Sequence, residues 1–103
     1  MFKLIILLTK KQAMEDDAFT RYLLQVHAPL AKKMPGLRKY VVNIVQKPPS
    51  KEPDYHGVVE LWFDDRESMK KAFSSPEGED TQKDTEEFTS RTITLFTDEH
   101  EIN

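Results

Sequence analysis

The chain reads as an α+β domain of the ferredoxin-like βαββαβ kind, a four-stranded antiparallel sheet with its helices on one face. Two observations predict this. Strand-like and helix-like segments follow one another in the order β-α-β-β-α-β within 103 residues, without internal repeats. The first three strands also carry apolar side chains on both faces, more than one helical layer can cover. A sheet this apolar is a liability in water. The economical solution is a second copy packed face to face, giving a homodimer of the dimeric α/β-barrel kind. Residues 1–103 then form a single domain.

Each element has a local reason. Phe2 to Thr9 is a short β-rich apolar run, as in a strand covered on both faces. Lys10 to Glu15 is a loop, and Asp16 is the expected cap of the first helix, with Asp17 at the positive end of its dipole. Phe19, Tyr22, Leu23, Val26 and Leu30 recur at spacings of three and four. At about 100° per residue, Leu23, Val26 and Leu30 fall within about 40° of Phe19, and His27 falls at about 80°, on the margin of the buried stripe. Pro29 lacks an N–H and should end or kink the helix around His27. Met34-Pro35-Gly36 is a turn, with Gly36 free to take positive φ. Leu37 to Gln46 is the second strand, and the proline-rich stretch from Lys47 to Tyr55 is a mobile loop.

His56 to Phe63 is the third strand. Val59, Leu61 and Phe63 share one face, and Val58, Glu60 and Trp62 the other. Asp64 is the expected cap of the next helix, with Glu67 completing a capping box and Met69, Ala72 and Phe73 facing inward. Ser75-Pro76 restarts a helix. Glu77 to Glu87 has almost no apolar residue and reads as a solvated, mobile helix or loop tethered by Phe88. Arg91 to Thr97 is the last strand, followed by a polar tail.

Composition excludes several classes. There is no cysteine, so disulfides, thiolate metal sites and cysteine nucleophiles are absent. Net charge is −3, but it is divided. Residues 1–51 carry a net +7 and residues 52–103 a net −10. The lysines are scattered rather than interleaved with aromatics, which gives nucleic acid no footprint. No apolar run approaches the ~20 residues of a membrane span. The apolar start is too short for a secretion signal, and a cytoplasmic protein is expected. No Gly-rich phosphate loop and no Gly-x-Ser-x-Gly elbow occur. The histidines 27, 56 and 100 lie on different elements without metal-ligand spacing, so no metal site is expected. A lone histidine beside a proline gives no specific signal for haem either.

The stretch from His27 to Tyr40 places two proton-handling side chains on either side of one turn. His27 suits general acid/base work near neutral pH, or else bonds a free carbonyl at the helix end. Tyr40 can polarise a carbonyl, or else is a half-buried strand aromatic. Glu60, in mid-strand, is either a pocket base or an ion-pair partner of Lys3 or Arg38. Trp62 is barrel wall or a stacking platform. Glu60, Trp62 and Arg38 complete the candidate substrate contacts.

Six blocks fall in order along the chain: His27-Ala28-Pro29-Leu30, Met34-Pro35-Gly36-Leu37-Arg38-Lys39-Tyr40, Val42-Asn43, Glu60-Leu61-Trp62-Phe63-Asp64, Ala72-Phe73-Ser74-Ser75-Pro76-Glu77-Gly78 and Asp98-Glu99-His100. Together they resemble the EthD-like family of dimeric α/β-barrel proteins, named for ethyl tert-butyl ether degradation, over nearly the whole chain. The resemblance implies a cofactor-free homodimer with a small hydrophobic pocket in each protomer. In the methylmuconolactone methylisomerase relatives, the histidine of the first block and the tyrosine after the Pro-Gly-Leu turn line the active site. They match His27 and Tyr40. That relative's pocket cysteines have no counterpart here.

Two functions are therefore expected. One is a cofactor-independent enzyme moving protons on a hydrophobic oxygenated molecule such as a lactone or polyketide-like ring. The other is a non-catalytic accessory protein that holds such a molecule for a partner oxygenase.

Overall fold

The computed structural model describes every residue, Met1–Asn103. The elements run β1 (Phe2–Lys10), α1 (Asp16–Tyr22), a π-helical turn (Leu23–His27), α2 (Ala28–Ala31), β2 (Lys39–Ile44), β3 (Gly57–Phe63), α3 (Arg66–Ser74), α4 (Pro76–Phe88) and β4 (Thr89–Asp98). The sheet order is β2-β3-β1-β4, antiparallel throughout. This is the ferredoxin-like arrangement, with the most apolar strands at the centre. The shortest dimension of the chain, 19 Å, is that of two layers.

Register assigns each strand residue a face. Leu4 pairs with Leu61, Ile6 with Val59, and Leu61 with Tyr40. These point at the helices and meet Phe19, Leu23 and Phe88 in one core. Lys3 pairs with Trp62, Ile5 with Glu60, and Glu60 with Val41. These point away from the helices. No element covers this second face, which presents Ile5, Leu7, Val41, Val58, Ile93 and Leu95 between polar margins.

Of the two outcomes expected at Pro29, an end or a kink, the first does not occur: helical backbone continues through Pro29 to Ala31, with an irregular turn just before it. The accommodation is the π turn. There the Ala28 N–H bonds to the Leu23 carbonyl, five residues back. The wider turn relieves the clash that a proline ring imposes on the carbonyl four residues before it. It also changes which side chains face inward. Each residue of a wider turn advances by less than the α-helical step, so His27 rotates into the stripe. His27 is 6% exposed and Val26 is 43% exposed, the reverse of the α-periodic reading.

Two caps also differ. Asp16 lies inside α1; Glu15 precedes the helix and makes no side-chain cap. The Asp16 carboxylate instead pairs with Lys47 at 2.8 Å. Asp65, not Asp64, caps α3 and accepts the Ser68 N–H at 2.7 Å. Asp64 is taken by Arg38 in a two-pronged pair at 3.0 and 2.8 Å. Ser75 caps α4 as expected, accepting the Gly78 N–H at 3.0 Å. Gly36 has φ +80 in the expected turn.

The acidic stretch after Pro76 is a full helix with one inward face. Gly78, Thr81 and Phe88 are buried on it. The proline-rich loop is anchored as well: the Asp54 carbonyl accepts from Thr9 Oγ1 at 2.8 Å, and His56 Nδ1 accepts the Lys10 N–H at 3.1 Å.

Candidate functional site

Between the helical layer and the β4 side of the sheet lies a cavity of about 590 Å³. Its apolar floor comes from β1 and β3, through Leu4, Ile6, Leu8, Val59 and Leu61. Its polar wall comes from α4 and β4. His27 enters from the π turn and Tyr40 from β2, so both open onto the same space.

His27 does not stand alone. Its Nδ1 lies 2.9 Å from Asp84 Oδ2, and Tyr22 donates its hydroxyl to Asp84 Oδ1 at 2.6 Å. The carboxylate thus joins two elements, the α1–π segment and α4. The Phe88 ring packs on both partners, 4.9 Å from the His27 ring and 5.0 Å from that of Tyr22. The His27 and Asp84 side chains keep 7% and 13% exposure.

Burial pushes the His27 pKa below its usual 6.5, and the hydrogen bond and charge of Asp84 only partly oppose it. Burial thus favours the neutral imidazole. Asp84 sets the tautomer, because an acceptor facing Nδ1 requires the hydrogen there. Nε2 then carries the free lone pair. It bonds to no protein atom and is not fully buried, and His27 is among the residues that line the cavity. Tyr22 is pushed up to about 12, chiefly by its bond to Asp84. Tyr40 is pushed up to about 12 by burial alone. It remains a phenol, and its hydroxyl makes no protein hydrogen bond.

Chemically, this is a base with an orienting carboxylate and a phenolic donor around one apolar space. Such a set can take a proton from a carbon or oxygen acid and steady the anion that forms.

Three candidate residues lie elsewhere. Glu60 and Trp62 point to the uncovered face of the sheet. Glu60 pairs with Lys3 and accepts from Asn43 at 2.9 Å, which holds its carboxyl below the usual range. Trp62 donates to Glu99 at 2.7 Å, with Lys3 and Lys39 each 4.7 Å from its ring centre. Arg38 is exposed and committed to Asp64. None of the three lines the cavity; each has a structural partner instead.

Sequence reasoning passed over Asp84 and Tyr22. A signal existed for Asp84. Thr81, Thr85 and Phe88 are the uncharged residues of the acidic helix at inward spacing, and Asp84 lies on the same stripe.

One other cluster has donors for a metal: Asp16, Glu52 and His56. Its chemistry is unfavourable. His56 Nδ1 accepts the Lys10 N–H, so the hydrogen sits on Nε2, the nitrogen that faces Glu52 at 3.4 Å. The Lys47 ammonium already bridges the two carboxylates at 2.8 and 3.2 Å.

Fold and cavity define a class: a ferredoxin-like α/β sandwich that encloses a small-molecule-sized space between its layers. Within that class the chain belongs to the EthD domain family, whose model matches residues 11–92. It is 31% identical to an EthD family protein of Bacillus halodurans C-125, whose crystal structure superposes with a TM-score of 0.85 over 97% of this chain and 99% of that one. It is 28% identical to an uncharacterized 11.0 kDa protein of Rhodococcus erythropolis, from the thcB–thcC intergenic region, over 85% of this chain and 86% of that one. SnoaB, a cofactor-independent oxygenase of Streptomyces nogalater, has the same fold at 10% identity, with a TM-score of 0.73 over 98% of this chain and 94% of that one.

No helix is long and apolar enough to cross a membrane.

Proposed function

We propose that the protein is a proton-transfer enzyme for a hydrophobic, carbonyl-bearing small molecule, working with its own side chains. The observation that carries this is the His27–Asp84 pair, 2.9 Å apart, on the wall of the cavity that Tyr40 also lines. His27 Nε2 removes a proton from the carbon beside a carbonyl. The electron pair moves onto the carbonyl oxygen, and the Tyr40 hydroxyl donates to that oxygen. The imidazolium, held by Asp84, returns the proton to the same carbon or another. That a cofactor-independent oxygenase uses this fold is compatible with chemistry begun by deprotonating an organic substrate.

β-Tetralone, a fused-ring ketone with an acidic C–H, is a suitable probe. Its exchange with D2O, followed by NMR, should accelerate in the presence of the protein. His27→Ala should abolish the acceleration, and Tyr40→Phe should weaken it. If wild type gives the buffer rate although the ketone binds, the protein is a binding or accessory protein.

The proposal includes a homodimer. The uncovered sheet face, with its apolar centre and the Lys3–Glu60–Trp62–Glu99 network at one margin, suits a second copy. A stable joint requires about 1,200–2,000 Å² of buried surface. Sedimentation at micromolar concentration should show a species of twice 12.0 kDa; a monomer alone refutes the assembly.

A further inference from the structure

Tyr22 and His27 are five residues apart, and the π turn lies between them. In an α-helix that spacing turns two side chains about 140° apart. A turn closed by a bond five residues back returns them toward the same side. Both therefore reach one carboxylate on α4. The Tyr22 hydroxyl donates to Asp84 Oδ1 at 2.6 Å, and His27 Nδ1 lies 2.9 Å from Asp84 Oδ2. Each oxygen has its own partner, so the plane of the carboxylate is fixed at two points. Phe88, one turn further along α4 and fully buried, packs its ring on both partners.

Asp84 is the only charged group bonded to the imidazole. The other titratable or charged groups on the cavity lining are Tyr40 from β2, Glu86 from α4 and Arg91 from β4. None of them is hydrogen-bonded to His27, and Arg91 is engaged elsewhere, 5.6 Å from the Tyr55 ring centre and 3.5 Å from Thr9 Oγ1. The Tyr22 phenol is pushed up to about 12 by its bond to Asp84, by burial and by the charges of Asp84 and Glu87, so it keeps the hydrogen that it donates. The carboxylate has an alternative to this arrangement. Its side chain is 13% exposed, so water lies at its margin, and a carboxylate short of a donor gains by turning toward it. The Tyr22 hydroxyl offsets that gain.

We propose that Tyr22 is a positioning residue for His27: its hydroxyl holds the Asp84 carboxylate turned inward, and the second carboxylate oxygen then keeps the imidazole in one orientation and one tautomer. This rests on the reading of His27 as the base and names what sets that base.

The test is a double-mutant cycle on the intact protein, with Tyr22→Phe, Asp84→Asn and both together. It is read by the pH profile of β-tetralone exchange and by NMR titration of His27. Tyr22→Phe keeps the ring on Phe88 and removes the hydroxyl alone. It should lower kcat about tenfold or more at unchanged KM, the effect of losing one hydrogen bond to a charged group. The acid limb and the His27 titration should both move to lower pH, as in Asp84→Asn, because the group that opposes burial has turned away. Adding Tyr22→Phe to Asp84→Asn should change neither further. A limb that stays in place overturns the positioning role. So does a limb that moves to higher pH, the result if the hydroxyl only disperses the carboxylate charge, and so do two substitutions whose effects add in full. The wild type supplies a check that needs no variant to fold. Its Tyr22 hydroxyl and His27 Nδ1 protons should shift together through one titration, and a Tyr22 proton indifferent to it overturns the role as well. If wild type exchanges β-tetralone at the buffer rate, the proton-transfer reading fails, and the NMR titrations still decide the role of Tyr22.

Discussion

Gly78→Ala sets helix propensity against packing, and the structure fixes the sign. Gly78 is inside α4, where alanine is intrinsically better by about 1 kcal/mol. On that ground alone the substitution should stabilise. A Cβ on Gly78, however, would lie 2.1 Å from the Ala72 carbonyl oxygen, 2.6 Å from Phe73 Cα and 2.8 Å from the Phe73 carbonyl carbon. All three are backbone atoms of α3 and cannot rotate aside. Ordinary contact begins near 3.4 Å, so α3 and α4 must part by roughly 1 Å. The same carbonyl accepts the Ser75 hydroxyl at 2.6 Å, so the cap of α4 is disturbed too. Overpacking of this kind costs about 1–3 kcal/mol and sometimes more; with backbone on every side the upper end applies. The net is a loss of about 2 kcal/mol, or a fall in Tm on the order of 10 °C for a domain this size. Equilibrium urea unfolding at unchanged slope measures it. Because α4 also carries Asp84, the His27 Nδ1 proton resonance should shift in the variant. A Gly78→Ala protein as stable as wild type would refute the close-approach argument.

Three further outcomes follow from the same geometry. The folded pKa of His27 is depressed, so the unfolded chain binds the extra proton between that value and about 6.5. The stability from His27 is therefore complete above about pH 6.5 and is lost as pH falls through the folded pKa, as is base activity; Asp84→Asn, which removes the group opposing burial, should move the acid limb of β-tetralone exchange lower still. An unmoved limb would show that Asp84 does not act on His27. Leu23→Ala should cost about 2–5 kcal/mol and Val26→Ala less than about 0.5; equal costs by urea unfolding would mean that the π turn does not set the buried stripe. Asp65→Ala should lower the denaturation midpoint clearly more than Asp64→Ala, because the first removes a helix cap and the second an exposed pair.

The element order and the two faces of β3 were legible because period-two patterning survives in strands of five residues or more. The turn at Gly36 was legible because its φ demands it. Two of the three caps were misplaced, Asp16 one residue late and Asp64 one residue early. Asp64 and Asp65 are adjacent and chemically identical, and only the distant Arg38 decides which is free to cap. Arg38, Glu60 and Trp62 were drawn to the site by residue type. The Glu60–Lys3 pair was one of the alternatives that the sequence offered, and the structure has it; the partners of Arg38 and Trp62, Asp64 and Glu99, are 26 and 37 residues away in the chain, and no local pattern reports them. His27 was placed at the margin of the stripe by assuming one helical step throughout. Asp84 was hidden in a charge run, where a carboxylate is normally solvated.

Two local rules are broken in this chain, and both breaks meet at His27. A proline lies within a helical stretch, and a carboxylate lies on the inward stripe of the acidic helix. Taken singly, each is a cost: the π turn gives up regular hydrogen bonding, and a partly buried carboxylate gives up water. Taken together they compensate. The wide turn that accommodates Pro29 is what rotates His27 inward, and the inward carboxylate is what orients that histidine and meets the Tyr22 hydroxyl. Without the π turn, Val26 would fill the stripe and Asp84 would face an apolar side chain with no partner but Tyr22. Without Asp84, the rotated histidine would sit under Phe88 with Nδ1 unsatisfied. Natural sequences keep local and global preferences consistent except where a site requires otherwise. Here the two exceptions explain each other only if His27 is the group being positioned.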